Sequence, residues 1–121
     1  MGDRKYRIGV ATSDNIVVNQ HFGRAAHFLI IDVDQDGQSS RVETRTVTPI
    51  CQGGNHEDAA LQKNAEIFSD CQYLLVSRIG PRAADCLEEK GIMAFEIPGM
   101  IDDSMRELLA YVEVQKLLNG A

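Results

Sequence analysis

Side chains able to bind a metal or an anion concentrate in two polar loops of this sequence. Cys51 lies in Pro49-Ile50-Cys51-Gln52-Gly53-Gly54-Asn55-His56, a glycine-containing loop, five residues before His56. A thiol so placed can present sulfur to a ligand, and without such a role it is an oxidation liability. His21 stands in the second loop, Asn19-Gln20-His21-Phe22-Gly23-Arg24. Together Cys51, His56 and His21 offer one sulfur and two imidazoles, a donor set suited to zinc, copper or iron–sulfur ligation. No C-x-x-C pair occurs, so neither a four-cysteine zinc site nor a self-contained iron–sulfur site fits. Cys71, at the entry to a strand, and Cys86, on the shoulder of a helix, are expected to pack in the core. His27 flanks a strand and is expected to be structural.

Arg24 and Arg78 are the cations of interest. Arg78 precedes Gly80-Pro81, where a helix is predicted to start, and an arginine beside the free N–H groups of a helix amino end makes an anion site. A surface salt bridge is the competing reading. Asp14, Asp32 and Asp34 raise the chemistry of a metal-dependent nuclease, but no carboxylate sits in the middle of the first strand, and Asp34 reads better as turn chemistry. A Cys51–His21 nucleophile pair is also conceivable, though the sequence offers no obvious third residue to orient the histidine.

These residues need a scaffold, and the periodicity supplies one. Strands are predicted over Tyr6–Thr12, Phe28–Val33, Arg41–Val47, Tyr73–Ser77 and Ile92–Ile97. The near-continuous apolar run Phe28–Val33 belongs to a strand covered on both faces, and the third strand reads as an edge. Asp58 is a plausible N-cap for a helix with the buried stripe Leu61, Ala65 and Phe68. Gly80-Pro81 opens a second helix that Gly91 closes. Asp102-Asp103-Ser104 starts a third, with Met105, Leu108, Leu109 and Val112 on one face. Right-handed crossovers then give an α/β fold, a ribonuclease H-like three-layer α/β/α sandwich. Its five-stranded mixed sheet has order 3-2-1-4-5, with strand 2 antiparallel. Ligands bind such sheets where strand order reverses, here between the first and fourth strands, whose loops are Ser13–Asn15 and Arg78–Gly80.

The chain has 121 residues, 12 basic against 18 acidic, a net charge of −6 and three cysteines. This length suits one domain, 1–121, with residues 1–5 expected to be flexible. An acidic balance argues against a nucleic-acid partner. Three thiols are too few for a disulfide framework and, with no secretory h-region after Met1, place the expected location in the cytoplasm. No run of 18 apolar residues occurs, so no membrane partner is expected.

The motifs Val18-Asn19-Gln20-His21-Phe22-Gly23-Arg24-Ala25, Phe28-Leu29-Ile30, Cys51-Gln52-Gly53-Gly54, Asp70-Cys71, Ser77-Arg78-Ile79-Gly80-Pro81 and Gly91-Ile92 together resemble one family. It is the dinitrogenase iron–molybdenum cofactor biosynthesis family: the NifX-like cluster carriers and the C-terminal carrier domain of NifB. The resemblance runs from about Arg7 to the final helix. It implies a non-enzymatic domain that transiently binds and carries an iron–sulfur or iron–molybdenum cluster or precursor, between cluster-donor and cluster-acceptor proteins. It makes His21 and Cys51 the leading ligands with His56 third, places Gly53 and Gly54 beside the cargo, and makes Asn19, Arg24 and Arg78 its anion-facing supports. The radical-SAM C-x-x-x-C-x-x-C motif of the cluster-building NifB enzymes is missing, which points to a carrier. An anionic cluster on a chain of charge −6 further requires a local positive patch at the loop end of the sheet. Two readings stand beside this one: a small thiol- or metal-dependent hydrolase using Cys51 and His21, and a metal-free regulatory module.

Overall fold

A computed structural model describes residues 3–49 and 57–119. Its main sheet is built from β1 (Arg4–Ala11), β3 (His27–Asp34), β4 (Ser39–Thr46), β5 (Tyr73–Val76) and β6 (Met93–Glu96). They lie in the order β4-β3-β1-β5-β6. β3 is antiparallel to both β1 and β4, while β5 runs parallel to β1 and β6 parallel to β5. This is the strand order the sequence predicts, and its cause is visible in the residues. Phe28 to Ile31 and Val33 are all buried, as a strand covered on both faces requires. β4 is exposed along almost its whole length and forms an edge. The turn between them is closed by Asp34, whose carboxylate accepts the N–H groups of Asp36 and Gln38 at 2.9 Å. β1 starts two residues before Tyr6, so Arg4 and Lys5, expected in a flexible leader, are strand residues, and Lys5 pairs with Glu113 at 3.3 Å.

Three helices cover the two faces. On one face α1 (Glu57–Ile67) and α2 (Pro81–Glu89) enclose Phe28, Ile30, Leu61, Ala65, Phe68, Leu74 and Leu87. On the other, α3 (Ile101–Leu118) buries Met105, Leu108 and Val112 against Ile8, Val10, Leu29, Ile31 and Leu75. α2 begins with proline in its first turn and ends in a paired carbonyl capture. Gly91, at φ +81°, donates to the Glu88 carbonyl, and Ile92 donates to that of Leu87, both at 2.9 Å. Two helix starts differ from expectation. Asp58 lies inside α1 rather than at its cap. α3 starts at Ile101, because the Ile101 N–H is taken by the Ile16 carbonyl at 2.8 Å, while Ser104 donates to the Ile97 carbonyl at 2.7 Å. That start rests on a two-stranded ribbon, β2 (Val17–Val18) against β7 (Gly99–Met100). Two-residue strands carry no periodicity that a sequence could display.

Below the sheet's carboxyl ends, Gly9 lets β1 and β5 approach. A Cβ at Gly9 would stand 2.6 Å from Leu74 Cδ2, and Leu74 is fully buried. Gly9→Ala is expected to cost about 1–2 kcal/mol through overpacking, read as a lowered urea midpoint with unchanged slope. An unchanged midpoint would show that this contact is soft.

A charge network ties three strands together at the amino end of β5. Arg7 holds Asp32 with two bonds, at 2.7 and 2.9 Å, and reaches Asp70 at 2.8 Å. Arg45 grips both Asp70 oxygens and the Ile67 carbonyl, each at 2.8 Å. The Arg45 guanidinium, helped by Arg7, holds the Asp70 carboxyl well below the usual carboxylate range, and Arg7 lowers that of Asp32.

Candidate functional site: an open cavity at the strand-order switch

β1 pairs with β5 only as far as Val10–Leu75. Beyond that point the segment after β2 takes over the place beside β5. The Ser77 N–H donates to the Gln20 carbonyl at 3.0 Å, the Phe22 N–H to that of Arg78 at 2.8 Å, and His21 bridges Arg78 in parallel. The chain then turns back on itself, as the N–H groups of Arg24 and Ala25 meet the His21 carbonyl at 3.1 and 2.9 Å. The local sequence explains this geometry. Phe22 and Ala25 are buried, with Phe22 edge-on to Phe28 at 6.1 Å, so the loop is nailed to the core at two points. Arg24, between those anchors, and His21, just before the first, are left exposed.

The two loops and the start of α2 enclose an open cavity of about 230 Å³, lined chiefly by His21, Phe22, Arg78, Ile79, Pro81 and Arg82. Its walls are apolar and its polar groups basic. Among the described residues no carboxylate lines it. Neither the His21 ring nor the guanidiniums of Arg24 and Arg78 bond to any described residue, in contrast to Arg7 and Arg45. Glu96, at the end of β6, accepts the Ile79 N–H at 2.8 Å and so fixes one wall. Such a place can accept an anionic body of a few atoms' width, with cations at the rim and an imidazole free to donate a lone pair.

The predicted residues divide as follows. His21 and Arg78 meet at this cavity, and Arg24 sits in the turn beside it. Asn19 does not line it; its amide instead clasps Ser13 through the backbone N–H at 3.0 Å and the hydroxyl at 2.9 Å. Of the two loops expected at the switch point, Arg78–Gly80 lines the cavity and Ser13–Asn15 does not. The latter is a closed turn in which Asp14 accepts the Ile16 and Val17 N–H groups, which hold its carboxyl below the usual range. Cys51, Gly53, Gly54 and His56 lie outside the described residues. The chain leading to them is anchored just after the His21–Ala25 turn, where Val47 donates to the Ala26 carbonyl at 3.0 Å, and on α1, where buried Asn64 donates to that of Thr48 at 2.8 Å. Among the described residues no three His, Cys, Asp or Glu side chains converge as metal donors.

The remaining candidates are structural. Cys71 and Cys86 are buried, and burial, reinforced by Asp70, pushes the Cys71 thiol up to about 12, far from thiolate chemistry. The His27 ring faces Asn15 Oδ1 at 3.0 Å. Asp14, Asp32 and Asp34 are each committed to separate local bonds, so they form no shared metal site. Glu96 and Asn64, which brace the cavity wall and the approach to the Cys51 loop, carried no signal in the sequence.

Fold and site together define a small α/β domain with a basic, ligand-sized cavity at its strand-order switch point. Comparison with known proteins places it further. Residues 4–111 match the family model described as "Dinitrogenase iron-molybdenum cofactor", and the chain belongs to that family. It is 40% identical over 104 residues to the FeMo cofactor biosynthesis protein NifB of Frankia alni, covering 84% of this chain and 20% of that one. It is 55% identical over 90 residues to the protein NifX of Sinorhizobium fredii, covering 69% of this chain and 55% of that one. Among solved structures, the apo form of the orange protein from Desulfovibrio gigas superposes with a TM-score of 0.54 at 25% identity, over 99% of this chain and 92% of that one. The chain thus spans about a fifth of the NifB it matches first and about half of the NifX. No described helix is long and apolar enough to cross a membrane.

Proposed function

We propose that this domain binds and carries an iron–sulfur or iron–molybdenum cluster, or a precursor of one, during nitrogenase-type cofactor assembly. The observation that carries this reading is the meeting of His21, Arg78 and the amino end of α2 around one open cavity with no carboxylate among its described lining residues. A preassembled cluster brings its own sulfides and asks of the protein only a donor or two and positive groups facing its charge. His21 supplies a nitrogen donor here. Cys51 follows Thr48 by three residues, about 10 Å of extended chain at most, and is the sulfur donor in this reading, with His56 as a further ligand and Gly53 and Gly54 allowing close approach of the backbone. Arg24 and Arg78 face the cargo's charge, and Asn19 supports it by holding the loop that carries His21.

Few protein ligands also mean ready release, which a carrier between a donor and an acceptor protein needs. The ribonuclease H-like arrangement, a single domain over 1–121 and a cytoplasmic setting complete the reading. Under anaerobic reconstitution with ferrous iron and sulfide, the protein is expected to gain broad visible absorption that survives desalting. Arg78→Glu, which places a carboxylate at the cavity, is expected to weaken retention about tenfold or more, the scale of one lost charge-assisted contact. A spectrum identical to that of protein-free buffer after desalting would sink the reading.

A further inference from the structure

The two edges of the sheet are guarded differently. β4 carries Arg41, Glu43 and Arg45 and is paired irregularly at the Ile30–Ile31 step, features that discourage a further strand. β6, Met93-Ala94-Phe95-Glu96, pairs regularly with β5, exposes Met93, and has its one charge, Glu96, turned onto the Ile79 N–H. Met93 and Ile97 donate toward β5, to the Gln72 and Val76 carbonyls. By the alternation of a parallel ladder, Ala94 and Glu96 present their N–H and C=O groups outward, and no described strand meets them.

Beside this open edge runs a groove of about 320 Å³ between β6 and the second half of α3, lined by Tyr73, Met93, Phe95, Tyr111, Gln115 and Lys116 among others. Its rings continue a series that starts at buried Tyr6 behind it, Tyr6–Tyr73 at 5.4 Å, Tyr73–Phe95 at 5.9 Å and Phe95–Tyr111 at 5.2 Å. Exposed Val114 and Leu118 extend the apolar surface along the helix. In a chain of charge −6, no described carboxylate lines the groove, whereas Lys116 Nζ stands 4.9 Å from the Tyr6 ring centre at its side. That local charge, one lysine and no described carboxylate, suits an apolar segment of another protein that carries an acid.

We propose that the β6 edge and this groove dock an extended partner segment as an added strand, with alternate apolar side chains in the groove and a carboxylate on Lys116. Strand addition of this kind draws affinity from the backbone and specificity from the alternating pockets. The test is selection from a phage-displayed library of random dodecapeptides on the immobilised intact protein, followed by fluorescence anisotropy of the enriched peptides. Enriched sequences are expected to alternate apolar residues and to carry Asp or Glu. Binding should fall about tenfold with Tyr111→Ser or Lys116→Glu, as for an anchor residue, at an unchanged circular dichroism spectrum. Replacing the peptide's acid by lysine should restore binding to the Lys116→Glu protein, and peptide should slow hydrogen exchange at Ala94 and Glu96. No enrichment, or enriched peptides indifferent to both substitutions, would overturn the proposal. So would a wild-type dimer in sedimentation that Tyr111→Ser dissolves, which would give this face to a second copy.

Discussion

Replacing Asp70 by alanine is expected to remove about 2–3 kcal/mol of stability, below the 3–5 typical of a buried pair because this carboxylate is partly exposed. Asp70 is the shared acceptor of two arginines, taking three bonds of 2.8 Å from Arg7 and Arg45. Both arginine side chains are less than one-fifth exposed, at 18% and 17%, while that of Asp70 is 38% exposed. Without it Arg7 keeps Asp32 and Arg45 keeps Glu43, so the loss is that of one hub rather than of every pair. The same geometry sets a pH dependence. Asp70 and Asp32 titrate below their ordinary value in the folded chain. The unfolded state therefore binds protons first as pH falls. Their contribution is complete above the unfolded carboxylate value of about 4 and declines below it. Urea midpoints between neutral pH and pH 3 should fall steeply for the wild type and more gently for Asp70→Ala. Parallel curves for the two proteins would show that the network does not govern acid stability.

The second large effect concerns the cargo. In the proposed site, replacing His21 and Cys51 together by alanine is expected to abolish retained visible absorption after reconstitution, while each single replacement leaves part of it. The double variant separates ligation from folding. The His21 ring is exposed and bonds to no described residue, whereas the turn is held by its backbone carbonyl, which alanine retains. Phe22 and Ala25 still anchor the loop. A variant with native circular dichroism and full absorption would refute this ligand assignment without touching the fold.

What could be read from the residues follows the range of the interactions involved. The buried run Phe28–Val33, the Asp34 turn and the Gly80-Pro81 start are local patterns, and together with crossover handedness they yield the order β4-β3-β1-β5-β6. The loop Asn19–Ala25 was also legible as a motif, and its alternation of buried Phe22 and Ala25 with exposed His21 and Arg24 explains why those residue types stand there. Contacts made between distant residues were not legible. Arg7 and Asp70 are 63 positions apart, Arg45 and Asp70 are 25 apart, and Glu96 reaches back 17 positions to Ile79. Each of these side chains alone looks like ordinary surface charge. The β2–β7 ribbon escaped for a different reason: two residues per strand cannot establish a period. Asn19 stands in the motif without its bonding being readable there, since its amide holds Ser13 rather than lining the cavity.

The central claim is that this domain holds a metal–sulfide cluster at the His21–Arg78 cavity, and the most direct measurement is elemental analysis of the intact protein purified without oxygen from cells supplied with iron and molybdate. Iron and acid-labile sulfide should co-elute with the chain at a fixed ratio and leave it together when an acceptor or a strong chelator is added. Protein that emerges free of both, and remains free of both after anaerobic reconstitution, would contradict the account.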